Sequence, residues 1–201
     1  QAKLHSLLRQ SPSLFFAQLF PKIDNTEGFE CPWHLHAISQ HLLEMYHGQC
    51  RRLIINAPPR SLKTSMANSY FIPWLLGKNP KTKIIVVTYG DDLSTTLARA
   101  TKKVFIHPAY QQIFPHTVLE NDRMQATRLR TPQGGQVIFT SIHGALTGLG
   151  ADWIILDDPL QAAHMRSEVR QDDLVQVFRQ SVTTRLNNPE TGKMLLVQQR
   201  I

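Results

Sequence analysis

The sequence predicts an α/β fold in which helices flank a mainly parallel β-sheet. Continuous apolar runs, such as residues 84–87 and 153–156, alternate with segments whose apolar residues recur at helical spacing. Strands that are apolar along their whole length are typical of a parallel sheet covered on both faces. The 201 residues, 42% hydrophobic and 18% charged, have the composition of a soluble globular protein. This length fits one large domain or two small ones.

In the first half of the chain, two helix patterns precede an alternation of strands and helices. The predicted elements are helices at residues 13–20 and 34–47, a strand at 53–56, a helix at 63–76 and a strand at 84–87. The first helix is expected to end at Pro21, and the third to kink near Pro73, because proline lacks the backbone donor. Asp91 or Asp92 is placed to cap the helix that follows the second strand.

The second half of the chain predicts a β-hairpin and a return to alternating elements. The predicted elements are strands at residues 128–131, 136–141 and 153–156, a helix at 167–186 and a strand at 194–197. The turn Pro-Gln-Gly-Gly at residues 132–135 separates the two hairpin strands. In the long helix, Leu174, Phe178 and Val182 recur every four residues and so mark one apolar face.

Charge and apolar content limit the classes of partner. The formal charge of +7 and the pI near 9.7 favour a polyanionic partner, because Lys and Arg neutralise phosphates. No apolar run reaches the roughly 20 residues that cross a bilayer, so no membrane association is expected. The two cysteines, Cys31 and Cys50, have no paired spacing and favour reduced thiols inside a cell.

The two ends of the sequence favour a fragment of a longer protein. Gln1 is neither an initiator methionine nor part of a basic-then-apolar signal pattern. Ile201 follows directly after an apolar, strand-like run. We therefore expect a continuation beyond the carboxyl end.

The strongest single motif is a loop between a strand and a helix. It consists of Ala57, Pro58, Pro59, Arg60, Ser61, Leu62, Lys63 and Thr64. A strand, a tight loop, Lys-Thr and a helix form the phosphate-binding arrangement of P-loop proteins, in which backbone N–H groups surround the phosphates. Lys63 would reach the β- and γ-phosphates, and the Thr64 hydroxyl would hold Mg²⁺. The pattern G-x-x-x-x-G-K-[ST] departs at Ala57 and Leu62, so an ordinary strand-turn-helix is the alternative.

A second motif supplies the carboxylates that such a site needs. The apolar run at residues 153–156 ends in Asp157 and Asp158. Ligands bind at the carboxyl edge of an open parallel sheet, so these side chains would face the same site. Asp157 would hold Mg²⁺ as a Walker B aspartate, and Asp158 would polarise the attacking water. A plain Asp-Asp-Pro turn is the alternative interpretation.

Several segments together resemble the large subunits of phage terminases. The loop residues 58–64 resemble their P-P-R-x-x-K-[ST] phosphate loop, and residues 146–159 look like their T-G-x-G-A-D stretch leading into the Walker B strand. Residues 87–90 are similar to their segment after the second strand, and residues 195–200 to the motif that couples hydrolysis to movement. The resemblance extends from about Glu30 to Ile201.

The resemblance implies a P-loop NTPase fold of the ASCE (RecA-like) type, with ATP and Mg²⁺ as its ligands. Residues 31–201 would form the ATPase domain after a helical lead-in at residues 1–30, without the family's nuclease domain. The implied function is ATP-driven translocation of double-stranded viral DNA into a procapsid in the host cytoplasm. The implied partners are the portal protein, the small terminase subunit and other copies of the chain in a ring, commonly a pentamer.

Further residues have candidate roles with open alternatives. Arg60 could stabilise transition-state charge or contact solvent, and the arginine finger of a neighbouring subunit could be Arg99, Arg166, Arg170 or Arg185. Gln198 or Gln199 could sense the γ-phosphate, or simply end a strand. Trp33 or His34, in a segment similar to the family's adenine-side region, could bind the base or pack as aromatic residues.

Positive side chains for DNA contact are expected near the hairpin and the helix before it. They are Lys102, Lys103, Arg123, Arg128 and Arg130, and contacts to phosphates alone would suit a motor that must not stall on particular bases. Two other functions stay open at this point: a helicase-like or repair translocase with the same core, and a catalytically weak scaffold in which Leu62 blocks the phosphates.

Overall fold

The computed structural model describes residues 1–120, 126–144, 146, 148–160 and 167–199. Its centre is a six-stranded sheet in the order β1-β6-β5-β2-β4-β3. The strands are β1 (Arg52–Ala57), β2 (Lys83–Thr88), β3 (Arg128–Arg130), β4 (Gln136–Ser141), β5 (Trp153–Asp157) and β6 (Lys193–Gln199). Only the β3–β4 pair is antiparallel, so the predicted hairpin and the predicted mainly parallel sheet are both confirmed.

Helices account for most of the remaining described chain. The α-helices are α1 (Ala2–Gln10), α2 (Pro12–Ile23), α3 (Trp33–Tyr46), α4 (Phe71–Lys78), α5 (Asp91–Ile106), α6 (Pro108–Ile113) and α7 (Glu168–Val177). A π-helical segment, Ser65–Tyr70, leads into α4, and a second one, Phe178–Val182, follows α7 and is continued by the 3₁₀ turn Thr183–Arg185. None of the helices in the described ranges is both long and apolar enough to cross a membrane.

The two faces of the sheet are covered by helices that form a larger and a smaller hydrophobic core. Alternate residues of each strand point to opposite faces, as the period of a strand requires. Ile84 and Val86 of β2 join the main core under helices α1 to α6, whereas Ile85 and Val87 join a smaller core under α7 and its π-helical continuation. Both cores exclude solvent from the central strands, so these strands are apolar along their length.

The prediction that the first helix of residues 13–20 ends at Pro21 is wrong. The helix runs from Pro12 to Ile23 and contains Pro21, and its first turn is capped by the Ser11 side chain, which accepts from the Leu14 N–H. Phe16, Phe20 and Ile23 are buried on both sides of the proline. Their packing outweighs the one backbone hydrogen bond that the proline removes near the end of the helix.

The predicted caps of α5 are also wrong. Gly90 is the N-cap residue, and no side chain accepts a capping hydrogen bond there. Asp91 and Asp92 instead occupy the first turn, where their charges interact favourably with the partial positive charge of the helix N-terminus. The long helix predicted at residues 167–186 is present as the three consecutive segments described above, and Leu174, Phe178 and Val182 face the smaller core as expected.

We expect the leading helices to unfold together with the sheet, because Phe16 lies inside the main core. Its ring lies 4.9 Å from the rings of both Phe20 and Tyr70, and it is fully buried. Replacing Phe16 by Ala should lower the free energy of unfolding by about 3–5 kcal/mol in urea titrations. The matched control is Leu14→Ala on the same helix, where 44% exposure predicts a loss below about 1 kcal/mol. Equal small effects would contradict a shared core.

Candidate nucleotide-binding site

The loop after β1 contains two residues in an unfavourable backbone conformation. Arg60 has φ of +60° and Leu62 has φ of +61°, the left-handed region in which glycine is usually found. For other residues this conformation costs roughly 1–2 kcal/mol each. Such strain close to a helix start is an observation that favours a functional loop.

Leu62 occupies the position at which the P-loop pattern has glycine. Its backbone adopts the conformation that a glycine would have, and its half-buried side chain packs against the main core. The residue therefore adopts the glycine geometry at an energetic cost, with its side chain anchored outside the loop. Sequence patterns alone could not show this, because they record only the absence of glycine.

Lys63 lies immediately after this residue and is almost completely buried, with 6% exposure. Its Nζ atom is 3.7 Å from Oδ2 of Asp158, whose side chain is 29% exposed. A buried ammonium group requires a charged partner, and this carboxylate provides it. The structure thus brings together the lysine and the second aspartate of the two predicted motifs.

The Thr64 hydroxyl and Asp157 form the closest contact between the two motifs. Thr64 Oγ1 donates to Asp157 Oδ1 over 3.0 Å, and Asp157 is 1% exposed. Burial, and then the charge of Asp158, raise the pKa of Asp157 to about 7, while the Thr64 hydrogen bond and Lys63 oppose the rise. A carboxylate in this setting is short of positive charge.

Asp158 connects the site to the neighbouring strand β6. Its backbone has φ of +43°, and its N–H donates to the Val197 carbonyl over 2.8 Å. Its Oδ1 atom accepts from the backbone N–H of Gln199 over 2.7 Å. The register pairs Gln199 with Ala57, so the start of the phosphate loop, the end of β6 and this carboxylate meet at one sheet edge.

Ser61 contributes two features to the loop. Its Oγ atom is buried and has no hydrogen-bond partner among the described residues. Its carbonyl oxygen lies 3.0 Å from Nε2 of His34, near the start of α3. Buried polar groups nearly always have a partner, so Ser61 is an exception within this loop, as Thr26 and Asn68 are elsewhere in the described chain.

Trp33 precedes His34 in the chain and is 80% exposed. Its ring stands edge-on to the His34 ring, with centroids 6.1 Å apart. The packing alternative is therefore wrong for Trp33, because no core covers it. Pro58 and Pro59 are likewise exposed, and Ala57 is the last residue of β1.

A cavity of about 360 Å³ opens beside Asp158 at the same sheet edge. Its lining consists of Tyr89, Gly90, Asp91, Asp92, Leu93, Asp158, Leu160 and Gln199. Asp91 and Asp92, which the sequence suggested as helix caps, thus lie next to the site. Their position next to the site follows only from the sheet, in which Thr88 pairs directly with Asp157.

The other candidate residues lie apart from these contacts or outside the described part of the chain. Arg60, Arg99 and Arg170 are exposed, whereas Arg185 bonds to the Thr184 hydroxyl and the Leu146 carbonyl. Lys103 pairs with Asp24 on the surface, Lys102 is exposed, and Arg128 and Arg130 are half-buried on β3. Arg123, Arg166 and Arg200, together with Thr147 of the T-G-x-G-A-D stretch, lie outside the described residues.

The fold and this edge of the sheet define the class: an α/β P-loop NTPase fold in which β6 separates the loop-bearing strand from the carboxylate strand. Among solved structures, the HK97 bacteriophage large terminase is similar, with a TM-score of 0.57 and 14% identity, over 85% of this chain and 33% of that chain. The Thermus phage P74-26 large terminase ATPase domain matches with a TM-score of 0.43 and 20% identity, over 74% of this chain and 59% of that chain.

The comparison with the HK97 large terminase establishes a likeness of fold. The chain spans about a third of the HK97 protein that it matches. No protein-family model matches the sequence, and no curated protein is significantly similar to it. The expected fold class and the resemblance to large terminases are thus confirmed at the level of structure.

We predict that Asp157→Asn stabilises the protein in the absence of nucleotide. A raised pKa means that the folded state disfavours the charged carboxylate, so the charge lowers stability at neutral pH. Asparagine can still accept from Thr64 without that charge, and the gain should be on the order of 1–2 kcal/mol, or a few degrees in thermal midpoint. Asp158→Asn, which weakens the attraction to Lys63, is the control and should give no gain. A lower midpoint for Asp157→Asn would contradict the expected cost of its charge.

Proposed function

We propose that this chain is the Mg²⁺-dependent ATPase motor domain of a large terminase, which drives double-stranded viral DNA into a procapsid. The observation that carries the proposal is the buried Thr64–Asp157 hydrogen bond beside the Lys63–Asp158 ion pair at the end of a strained loop. Lys63, Thr64 and Asp157 are the residue types that bind the phosphates and Mg²⁺ in P-loop NTPases, and Asp158 adds a carboxylate that could polarise water. The fold shared with the HK97 large terminase supports the same class.

The loop residues 57–64 would bind the phosphates of ATP. Backbone N–H groups at a helix start provide the positive end of peptide dipoles, and Lys63 adds a full charge. The buried Ser61 hydroxyl, which has no partner among the described residues, fits a phosphate oxygen as its acceptor. Leu62 packs against the core, so the scaffold alternative, in which this residue blocks the phosphates, has no support.

The donor set beneath the loop fits Mg²⁺. Hard cations prefer oxygen ligands, and the Thr64 hydroxyl and the Asp157 carboxylate are adjacent oxygens. Burial and the charge of Asp158 raise the pKa of Asp157, so a cation bound beside it would stabilise its charged form. When bound, Mg²⁺ would neutralise charge on the β- and γ-phosphates.

Asp158 is placed to orient the attacking water. Its Oδ1 atom is fixed by the Gln199 N–H, whereas Oδ2 faces Lys63 at 3.7 Å, longer than a hydrogen bond. Once Lys63 neutralises phosphate, Oδ2 can accept a hydrogen bond from water and polarise it toward the γ-phosphate. Catalysis would then rest mainly on positioning and charge stabilisation, with Arg60 as the loop cation available to the transferred group.

The Asp158–Gln199 hydrogen bond would couple the loss of the γ-phosphate to a movement of β6. Release of the γ-phosphate returns Lys63 to Asp158, and that carboxylate holds the Gln199 backbone directly. A shift at the end of β6 would act first on β1 and β5, the strands that pair with it. Because the contact is made by the Gln199 backbone N–H, sensing of the γ-phosphate by the Gln199 side chain is a separate part of the proposal.

The domain bounds, the ring of copies and the binding partners are also part of the proposed function. We infer that residues 31–201 form the ATPase domain, that residues 1–30 are a helical lead-in, and that several copies form a ring, a pentamer by analogy, in the host cytoplasm. Double-stranded DNA, the portal protein and the small terminase subunit would be its partners. The formal charge of +7 suits the DNA, with Lys102, Arg128 and Arg130 as contact candidates in the described part of the chain. Stimulation of hydrolysis by duplex but not single-stranded DNA would favour this motor over a helicase-like translocase.

We expect Lys63 and Asp158 to separate nucleotide binding from hydrolysis. Lys63→Ala should weaken Mg-ATP binding at least about tenfold, since it removes the buried charge in the loop. Asp158→Asn should keep binding but lower turnover roughly 100-fold or more, because it removes the group that orients water. Calorimetric titration with and without Mg²⁺, and phosphate release with DNA, measure the two effects. Lys22→Ala, which changes an exposed lysine on α2, is the control; wild-type DNA-stimulated turnover in Lys63→Ala would overturn the proposal.

Trp33 provides an optical test of where the adenine base binds. It is 80% exposed, whereas Trp74 and Trp153, the other two tryptophans, are 1% and 4% exposed. If the base stacks on Trp33, Mg-ADP should reduce the quenching of protein fluorescence by acrylamide. Trp33→Phe retains stacking but removes the signal, and is the matched control. Unchanged quenching while calorimetry detects binding would place the base elsewhere.

A further inference from the structure

One hydrogen bond from helix α3 holds the backbone of the phosphate loop at Ser61. His34 Nε2 lies 3.0 Å from the carbonyl oxygen of Ser61, which is 27 positions away in the chain. A carbonyl oxygen only accepts, so Nε2 must carry the hydrogen and donate it. The donor is held rigidly, because α3 is fixed in the main core by the adjacent Leu35 and by Ile38 and Leu42.

From this contact we propose that His34 is a positioning residue, which holds the Ser61–Leu62 peptide in the orientation that binds phosphate. This proposal rests on the proposed nucleotide site and adds a residue to it. A trans peptide is planar, with its C=O and N–H pointing in opposite directions. Fixing the Ser61 carbonyl toward α3 therefore directs the Leu62 N–H to the side away from α3, where it can donate to a phosphate.

The His34 hydrogen bond matters because residue 62 is leucine, which disfavours a positive φ, and not glycine. Rotating the Ser61–Leu62 peptide by half a turn changes ψ of Ser61 and φ of Leu62 together, and takes φ of Leu62 from +61° into the favoured negative region. That rotation would also turn the Leu62 N–H toward α3. Glycine populates both signs of φ about equally, but leucine favours the rotated peptide. The His34 hydrogen bond opposes this preference, since the rotation would break it.

The position of His34 makes direct recognition of the base a weaker explanation. Its Nε2 atom is already bonded to the loop, and the exposed aromatic surface beside it belongs to Trp33. From the sequence, Trp33 and His34 were both candidates for binding the adenine base. In the structure His34 contacts the backbone of the loop, whereas Trp33 presents an exposed ring beside it.

The test compares two substitutions of nearly equal shape. His34→Gln keeps a side-chain N–H donor at a similar reach, whereas His34→Met has similar length and no donor. We expect His34→Met to weaken Mg-ADP binding roughly five- to tenfold by calorimetry, and His34→Gln to stay within about twofold of wild type. In a Leu62→Gly background, the same His34→Met change should cost less than about twofold, because glycine gains little from the rotated peptide. Thermal midpoints of all variants verify that each is folded.

Two results would overturn the proposal. One is binding by His34→Met as tight as that of wild type. The other is an equal loss in the wild-type and Leu62→Gly backgrounds, which would indicate a direct contact with nucleotide or a general effect on the fold.

A second measurement needs no nucleotide. Backbone couplings in NMR spectra should report a left-handed Leu62 in wild type and His34→Gln, and its loss in His34→Met. If wild type binds no Mg-ADP, the proposed function fails, while these spectra still decide whether His34 holds the peptide. If Leu62 keeps its left-handed conformation in His34→Met, His34 does not hold the Ser61–Leu62 peptide and the proposal is refuted.

Discussion

The hydrogen bond from the Thr64 hydroxyl to the buried carboxylate of Asp157 joins the two halves of the site, and the rest of the structure positions its partners. Thr64 starts the helix that follows β1, and Asp157 ends β5. Because β6 lies between these strands, the two residues meet only when all three strands are in register. Helices α1 to α6 on one face and α7 on the other bury all of β5 and part of β6, whereas in β1 Ile55 is the buried residue.

Two neighbouring carboxylates and one buried lysine set the charge at this edge of the sheet. Asp157 and Asp158 lie next to each other with Lys63 as their nearby cation, so burial and mutual repulsion raise the pKa of Asp157 to about 7. Arg60, Leu62 and Asp158 add backbone strain at positive φ. Folding alone gains nothing from these features, and they are understandable as the cost of a site arranged for phosphate and a divalent cation.

Much of this arrangement could be predicted from the sequence, because buried parallel strands and the Lys-Thr and Asp-Asp pairs are local patterns. The strands at 84–87 and 153–156 and the hairpin are present as predicted. What could not be predicted depends on tertiary contacts. Core packing carries α2 past Pro21, Asp91 and Asp92 line a cavity instead of capping, and the conformation of Leu62 follows from its core contact and from a histidine 28 positions earlier.

The most direct test of the central claim is a crystal structure of the protein with Mg²⁺ and a non-hydrolysable ATP analogue. The account predicts phosphates within the loop at residues 57–64, Mg²⁺ at the Thr64 hydroxyl and near Asp157, and Ser61 Oγ bonded to a phosphate oxygen. Leu62 should remain left-handed, with its side chain against the core. Nucleotide bound at another edge of the sheet, or a Leu62 side chain turned into the loop with no phosphate there, would contradict it.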